Sequence, residues 1–226
     1  MTEGSQSSDR EAREEAKERK RLEIARLGEL AQTCTACELS ERRTKVVFGV
    51  GNPTSPLMLI GEGPGASEDA LGEPFVGPAG KLLDACLQLA GMKREHIYLT
   101  NIIKCRASVE QSGRIQNRPP TPLEIDTCAP LWLQKQIDAV GPLVICCIGG
   151  PAAKTIINPT FGIMRDHGRF FECKYAPHAI AALHPAYILR MEGDAYERGR
   201  QSLIDDLAAA KERAIAAKRE PSRTLF

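Results

Sequence analysis

Short apolar runs that end in polar or glycine-rich clusters recur four times along this chain of 226 residues. They are LMLIGEGP at 57–64, IYLTNIIKC at 97–105, LVICCIGG at 143–150 and AIAALHP at 179–185. Runs that stay apolar at successive positions are typical of strands buried on both faces of a parallel sheet. We therefore predict four buried parallel strands.

Segments with helical spacing of apolar residues separate these strands. They are GPAGKLLDACLQLAG, TPLEIDTCAPLWLQKQIDAVG and GPAAKTIINP. The alternation predicts an α/β fold, a three-layer α/β/α sandwich with a central four-stranded, mostly parallel sheet. KVVFGVGNP further predicts a short strand and RFFECKYAPHAI a hairpin arm, and an amphipathic helix is expected from about Tyr196 to Lys218.

The two ends of the chain differ from this pattern. Residues 1–30 form a charged segment, which we predict to be disordered over 1–8 and helical from about Asp9 to Leu30, because acidic and basic residues alternate there at helical spacing. Residues 31–210 are expected to form one domain. Residues 211–226 are expected to hold the end of the last helix and a flexible tail, PSRTLF.

Composition narrows the class of protein only a little. The formal net charge of +1 gives no general attraction for nucleic acid, so any DNA contact requires a local basic patch. No apolar run is long enough to cross a bilayer, and residues 1–30 lack the apolar stretch of a secretory signal. We expect a cytoplasmic monomer without membrane contact.

The eight cysteines are expected to be reduced core residues, metal ligands or nucleophiles, because disulfides are rare in the cytosol. Cys34 and Cys37 form a CxxC pair, which can grip a metal or a cluster edge. Cys105 follows a strand and Cys128 lies in a helix, so both can fold back towards the pair. This spacing predicts a metal centre but leaves zinc and iron–sulfur open. The remaining cysteines lie on apolar faces and are interpreted as buried hydrophobic residues: Cys86, Cys146, Cys147 and Cys173.

Polar residues and glycines directly follow the predicted strands. Ligands of open parallel sheets bind at the carboxyl ends of the strands, where these residues meet. They are Glu62 and Gly63, then Asn101, then Gly149 and Gly150, and finally His184. A binding site is therefore expected at this edge of the sheet.

Four motifs in this order and spacing resemble the family 4 uracil-DNA glycosylases. They are GEGPGASEDALGEPFVGPAGKLLD, TNIIKCR, NRPPTPLEIDTC and HPAYILR, and the resemblance covers about residues 33–207. It implies an enzyme that flips uracil out of single- or double-stranded DNA and hydrolyses its N-glycosidic bond, which leaves an abasic site for base excision repair.

The same resemblance implies a [4Fe-4S] cluster held by Cys34, Cys37, Cys105 and Cys128. The chain departs from the family pattern between Cys105 and Cys128, where the segment is longer than in thermophilic members. The entropy cost of closing a loop grows slowly with its length, so we expect the cluster to tolerate this segment.

Three residues are expected to hold and release the base. His184 resembles the family's catalytic histidine, near uracil O2, where it would stabilise negative charge on the departing base. The amide of Asn101 can donate to uracil O4 and accept from N3–H, and cytosine presents the opposite pattern. Phe75 would stack on the flipped base.

Three further positions are assigned to the same pocket. Glu68 matches a family position near C5 of the base, where it would exclude the methyl group of thymine. The backbone N–H of Gly63 can approach the base closely. Since Gly63 stands where the best-known glycosylase family has an aspartate, Glu62 is the candidate for positioning the attacking water.

Contacts to DNA are expected from basic and apolar side chains near the strand ends. The residues predicted to bind phosphates are Lys104, Arg106, Arg114, Arg118 and Arg190. Ile188 and Leu189 are candidates for a wedge that enters the gap left by the flipped nucleotide.

Two alternative functions remain open at this point. One is a relative that traps uracil covalently through a histidine in a KRRIH-like loop, but this chain has GRIQ, with Gln116 at the histidine position. An amide is a poor nucleophile, so turnover is predicted. The other is a catalytically weak iron–sulfur module that binds DNA.

Overall fold

A six-stranded mixed sheet forms the centre of the computed structural model, which describes residues 3–220. A separate two-stranded hairpin lies outside it. The strands are β1 Val50–Gly51, β2 Leu57–Gly61, β3 Tyr98–Asn101, β4 Ser108–Gln111, β5 Arg114–Asn117, β6 Val144–Ile148, β7 Phe170–Cys173 and β8 Ala176–Ala182. The order in the large sheet is β1-β3-β2-β6-β8-β7.

The four central strands are the ones that the apolar runs predict. β3, β2, β6 and β8 are parallel to one another, which confirms the predicted parallel sheet. β1 and β7 add one antiparallel strand at each edge, so the sheet has six strands and not the predicted four. β7 and β8 form the predicted hairpin.

Helices cover both faces of the sheet. They are α1 Glu3–Gln32, α2 Leu39–Arg42, α3 Ala66–Leu71, α4 Pro78–Leu89, α5 Pro122–Cys128, α6 Gln134–Val140, α7 Gly150–Ile156, α8 Ile163–Asp166, α9 Pro185–Ile188 and α10 Gly193–Ala217. α1 begins at Glu3, earlier than the predicted start near Asp9. The tail PSRTLF, and Met1 and Thr2 of the segment predicted to be disordered, lie outside the described residues. Within residues 3–220 no helix has the length and apolar character needed to cross a membrane.

Successive side chains of a buried strand point to opposite faces, so the core divides into two apolar layers. On β6, Ile145 and Cys147 belong to the layer that includes residues of α1, α6 and α7, whereas Cys146 and Ile148 belong to the layer under α4 and α10. This arrangement confirms the three-layer sandwich. Cys86, Cys146 and Cys147 are fully buried as predicted, and Cys173 is half-buried.

The helix predicted over residues 121–141 is interrupted. A π-helical turn, Ala129–Leu133, lies between α5 and α6. Such turns are often found at functional sites, and this one directly follows Cys128.

The hairpin of β4 and β5 is not among the predicted elements. Its two strands are antiparallel, and their side chains are exposed from Val109 onwards. Ser112 and Gly113 between them both have positive φ, +52° and +72°, as the two-residue turns of tight hairpins require. SG is a turn dipeptide, so the sequence did contain a local signal for this hairpin.

Candidate active site and metal centre

The parallel register brings the predicted site residues to one edge of the sheet. Gly61 at the end of β2 lies beside Asn101 at the end of β3, and His184 follows β8. The residues assigned to the base from the sequence all line one pocket of about 450 Å³. They are Glu62, Gly63, Glu68, Phe75, Asn101 and His184. The fold thus brings the predicted residues together, and their individual roles stay predictions.

Gly61 makes room for two of these groups. A methyl group at Gly61 would overlap Oδ1 of Asn101 and would lie 2.6 Å from Cζ of Phe75. Asn101 is 2% exposed, and no described residue hydrogen-bonds to its side-chain amide. No fully enclosed side-chain N or O atom in the described part of the chain lacks a partner, so the amide atoms of Asn101 must reach the open pocket. The donor and the acceptor of this amide are both available to a ligand.

Phe75 is held in an unusual backbone conformation. Its φ of +56° is in the left-handed region, which bulky residues rarely adopt. The guanidinium of Arg94 donates to the carbonyl oxygens of Pro74, at 2.8 Å, and of Phe75. These contacts fix a strained residue whose ring centroid lies 6.5 Å from that of His184. Arg94 has no sequence signal, since it lies in a short 3₁₀ turn and only the fold brings it to this loop.

His184 is the N-cap of α9, and its protonation state follows from this position. Nδ1 accepts a hydrogen bond of 3.1 Å from the backbone N–H of Ala186. The neutral ring must then carry its proton on Nε2. Burial and, secondarily, the nearby Arg190 lower the pKa of His184 to about 4, against the opposing effect of Glu68. At neutral pH the side chain is therefore an uncharged N–H donor.

Glu68 connects the two loops that border the pocket. Its carboxylate accepts hydrogen bonds from the backbone N–H groups of Gly65 at 3.1 Å, Val76 at 2.9 Å and Gly77 at 2.8 Å. These bonds brace the loop before α3 against the loop before α4. A role in excluding the methyl group of thymine stays a prediction.

Glu62 and Gly63 form the start of the loop after β2. A methyl group at Gly63 would come within 2.8 Å of Cγ1 of Ile103, so a larger residue there would displace this pocket side chain. Glu62 is half-buried, and burial raises the pKa of its carboxyl group. It also borders a wider groove of about 970 Å³ that continues past His184.

Two predicted DNA contacts are wrong because the side chains point into the protein. Lys104 is 1% exposed, and its Nζ donates to Oγ1 of Thr100 at 2.7 Å and to the carbonyl oxygen of Asn101 at 2.5 Å. Burial lowers the pKa of this lysine to about 7. Ile188 is completely buried in the layer under α10 and cannot enter DNA. Leu189 is 43% exposed and lines the pocket, so it stays the predicted wedge.

The arginines predicted to bind phosphate differ in their contacts. Arg114 and Arg190 are exposed, and Arg190 borders the wide groove. Arg118 lines the pocket, but its guanidinium is paired with both oxygens of Glu124, at 2.8 and 2.6 Å. A phosphate contact at Arg118 would therefore compete with an existing ion pair.

Asn117 is a pocket residue that was not predicted from the sequence. It ends β5 and lines the pocket, and its Oδ1 accepts from Nε of Arg106 at 2.7 Å. It is part of the NRPP motif, which could have indicated it. The bond to Asn117 also occupies one donor of Arg106, whose predicted phosphate contact stays a prediction.

The four predicted metal ligands line one small cavity. Cys34 and Cys37 are half-buried, and Cys105 and Cys128 are buried. Within the described part of the chain, no three His, Cys, Asp or Glu side chains are placed to share a single metal ion. The cysteines thus share a cavity without forming a site for one ion.

Three N–H groups point at the sulfur atoms of this cavity. Nε1 of Trp132 donates to Sγ of Cys34 at 3.3 Å, and the guanidinium of Arg43 donates to Sγ of Cys105 at 3.4 Å. The backbone N–H of Lys104 donates to Sγ of Cys128 at 3.4 Å. A neutral thiol is a weak acceptor, so three such donors suit metal-bound thiolates. Neither Arg43 nor Trp132 was identified from the sequence, because only the fold joins them to sulfur atoms of other segments.

Several known proteins are similar to most of this chain. The family model of the uracil DNA glycosylase superfamily matches residues 48–208. A type-4 uracil-DNA glycosylase of Archaeoglobus fulgidus is 40% identical over 164 residues, which cover 70% of this chain and 78% of the relative. Those of Thermotoga maritima and Sulfurisphaera tokodaii are 35% and 33% identical, and the matches cover 82% and 87% of this chain and 91% and 87% of the relatives.

The chain belongs to the type-4 uracil-DNA glycosylases. The resemblance inferred from the four motifs is thereby confirmed. In this type-4 uracil-DNA glycosylase the superfamily match begins after the CxxC pair, so Cys34 and Cys37 lie outside the matched segment. The base pocket lies entirely within it.

Glu68→Gln tests whether the carboxylate holds the two pocket loops together. The amide NH₂ group cannot accept from a backbone N–H, so the N–H of Gly65 would lose its partner, which costs about 1–3 kcal/mol. We expect urea or thermal unfolding to register that loss. Glu73→Gln makes the same chemical change at an exposed position and serves as the control. Equal stability of the two variants would contradict the bracing role.

Proposed function

We propose that this chain excises uracil from single- or double-stranded DNA. The flipped base enters the pocket, its N-glycosidic bond is hydrolysed, and an abasic site is left for base excision repair. One observation carries the proposal: an unpaired amide, that of Asn101, and a neutral N–H donor, that of His184, border the same pocket as the ring of Phe75. The relatives are type-4 uracil-DNA glycosylases by name, which supports the same activity.

Recognition of uracil rests on Asn101. Its Nδ2–H donates to O4 and its Oδ1 accepts from N3–H, whereas cytosine presents a donor and an acceptor in the opposite order. Because the side chain is almost completely buried, a mismatched base would leave both amide groups unpaired. Such mismatches cost on the order of 10⁴-fold in sites built to hydrogen-bond their substrate. Phe75 supplies the stacking surface.

Catalysis rests on the proton that His184 carries on Nε2. Cleavage of the glycosidic bond builds negative charge on the base, and a preorganised donor to uracil O2 stabilises that charge more in the transition state than in the ground state. The bond from the Ala186 N–H to Nδ1 fixes the tautomer and the orientation of the ring. No proton has to be lost or gained by the histidine before the bond breaks.

The water and the DNA strand approach from the groove side. Glu62 borders both the base pocket and the wider groove, so its carboxylate can position a water molecule beside the sugar. Arg190 borders the same groove and binds phosphate, and the exposed Arg114 extends the basic surface. Leu189 fills the gap in the base stack.

Cys34, Cys37, Cys105 and Cys128 hold a [4Fe-4S] cluster in this proposal. Support comes from the four cysteines around one cavity and from the three N–H donors aimed at their sulfur atoms. When bound, the cluster supplies a covalent cross-link between distant segments. The cysteines do not border the base pocket.

A glycosylase assay on uracil-containing oligonucleotides tests the assignment of the two central residues. His184→Ala should lower kcat about a hundred- to a thousandfold, because one preorganised donor is lost. Asn101→Asp keeps the shape but replaces the donor to O4 by an oxygen, so it should lose activity on uracil as well. Activity is measured as alkali-labile cleavage, with Glu73→Gln as an unaffected control.

The same assay separates turnover from the two alternative functions, covalent trapping of uracil and a non-catalytic module that binds DNA. Gln116 is exposed on β5 and does not line the base pocket, so no covalent adduct is expected on a denaturing gel. A persistent protein–DNA band would contradict turnover. Wild-type protein that binds uracil-DNA but leaves it intact after alkali would favour the non-catalytic module.

The pH dependence follows from the pKa of His184. The neutral ring is the active form, and its pKa is lowered from 6.5 to about 4, so kcat should hold from neutral pH down to about pH 5 and fall through about pH 4. His184 makes the free energy of unfolding depend on pH in the same direction. Its contribution is complete above about pH 6.5, the pKa of histidine in the unfolded chain, and is lost as the pH falls towards 4.

Single-turnover rates at saturating enzyme, measured as a function of pH, record this fall in rate at low pH, the acid limb of the profile. Glu62→Gln is the necessary comparison, because Glu62 is a second titratable group of the pocket and burial raises its pKa. An acid limb that disappears in Glu62→Gln belongs to the carboxylate. A midpoint at the ordinary pKa of histidine in both proteins would contradict a neutral His184.

Replacing a cluster ligand should remove iron before it alters base selectivity. Cys105→Ser is expected to lose the visible iron–sulfur absorption and about four iron atoms per chain. Cys173→Ser is the matched control, since its half-buried thiol donates to the carbonyl oxygen of Ala176 and lies outside the cavity. Iron and absorption are measured on the purified proteins. Colourless wild-type protein that contains zinc would falsify the cluster assignment.

A further inference from the structure

Lys104 is a buried amine that the proposed mechanism does not use. It lies three residues beyond Asn101 and directly before Cys105, and its side chain is 1% exposed. Burying an amine is costly unless it is hydrogen-bonded, whereas an apolar side chain would fill the same space without that cost. The contacts of Lys104 therefore require an explanation.

Both hydrogen bonds of its Nζ are accepted at the end of β3. The amine donates to Oγ1 of Thr100 at 2.7 Å and to the carbonyl oxygen of Asn101 at 2.5 Å. The hydroxyl of Thr100 in turn donates to the carbonyl oxygen of Phe48 at 2.7 Å, where the amide of Gln136 also donates, at 2.8 Å. This buried network ties the last residues of β3 to α6 and to the segment before β1.

The backbone of Lys104 connects the same residue to the cysteine cavity. Its N–H donates to Sγ of Cys128, and Lys104 is one of the residues that line the cavity. Asn101, Ile103 and Ala107 line the base pocket, whereas Lys104 and Cys105 line the cysteine cavity. One short segment thus separates the two sites, and Lys104 contacts elements of both.

We propose that Lys104 is a positioning residue that fixes Asn101 for uracil recognition and ties it to the cysteine cavity. The inference rests on the role of Asn101 in the proposed function. It does not depend on the charge of Lys104, because a neutral amine also has hydrogens for both acceptors. The recognition amide is thereby held by its own main chain, which leaves its side-chain donor and acceptor free for the base.

Lys104→Met tests this inference, because it keeps the approximate length of the side chain and removes the amine that donates both hydrogen bonds. We expect kcat/KM for uracil release to fall about ten- to a hundredfold, since small displacements of a positioned group are costly. In an Asn101→Ala background Lys104→Met should lower kcat/KM by less than about twofold, because the side chain that Lys104 positions is gone. In a His184→Ala background the full loss should persist.

Lys20→Met is the matched control. Its Nζ also donates to a backbone carbonyl, that of Val140, at 2.5 Å, but it lies on α1 outside the base pocket and the cysteine cavity. We expect Lys20→Met to keep full uracil release even where its melting temperature falls. Iron content and melting temperature are measured for every variant, so that lost folding is separated from lost positioning.

Equal losses from Lys104→Met in the wild-type and Asn101→Ala backgrounds would overturn the inference while leaving the glycosylase assignment intact. An Asn101→Ala variant with wild-type activity would instead remove the recognition role on which it rests. If Lys104→Met does not fold, Thr100→Val replaces it, because it removes one partner of Nζ with little change in shape. Thr100→Val should then lower kcat/KM by a smaller factor, and this loss must also largely disappear in the Asn101→Ala background.

Discussion

The close approach of Gly61 and Asn101 on neighbouring parallel strands is the constraint on which the pocket depends. Any side chain at Gly61 would occupy the space where the amide of Asn101 and the ring of Phe75 now meet. A parallel sheet brings its strand ends to one edge, but it does not by itself leave room for a base. The room comes from glycine at the last position of β2. The register that pairs these two residues therefore determines where the pocket lies.

Burial then sets the chemistry of the groups around that space. The enclosed position of His184 keeps its ring neutral, and the N–H of Ala186 decides which nitrogen carries the proton. Burial acts in the opposite direction on Glu62, whose carboxyl pKa it raises. Exclusion of water thus shifts both groups towards their uncharged forms, the neutral ring of His184 and the protonated carboxyl group of Glu62. Phe75 is held in its strained conformation by bonds from Arg94 to the backbone and not by its own preference.

The central strands and the pocket residues that directly follow them are predictable from the sequence for one reason. Strands buried on both faces appear as continuous apolar runs, and the residue after each run lies at the binding edge, as Asn101 and His184 do. Lys104 and Ile188 were misassigned because nearness to a strand end does not fix the direction of a side chain. Lys104 turns inward to the main chain of β3, and Ile188 is buried on α9 while Leu189, one residue later, faces outward.

The cysteine cavity and the base pocket have no residue in common, yet they are two sides of one segment. The four cysteines of the cavity come from the loop after α1, from the segment after β3 and from the end of α5. The proposed cluster would link these elements and constrain the main chain between Asn101 and Ala107 without touching the base. Since the hairpin that ends at Asn117 begins directly after that segment, the proposed cluster would restrain both the amide of Asn101 and the pocket wall that the hairpin supplies. Under the proposed function, specificity then depends on main-chain position, which a centre remote from the base can fix.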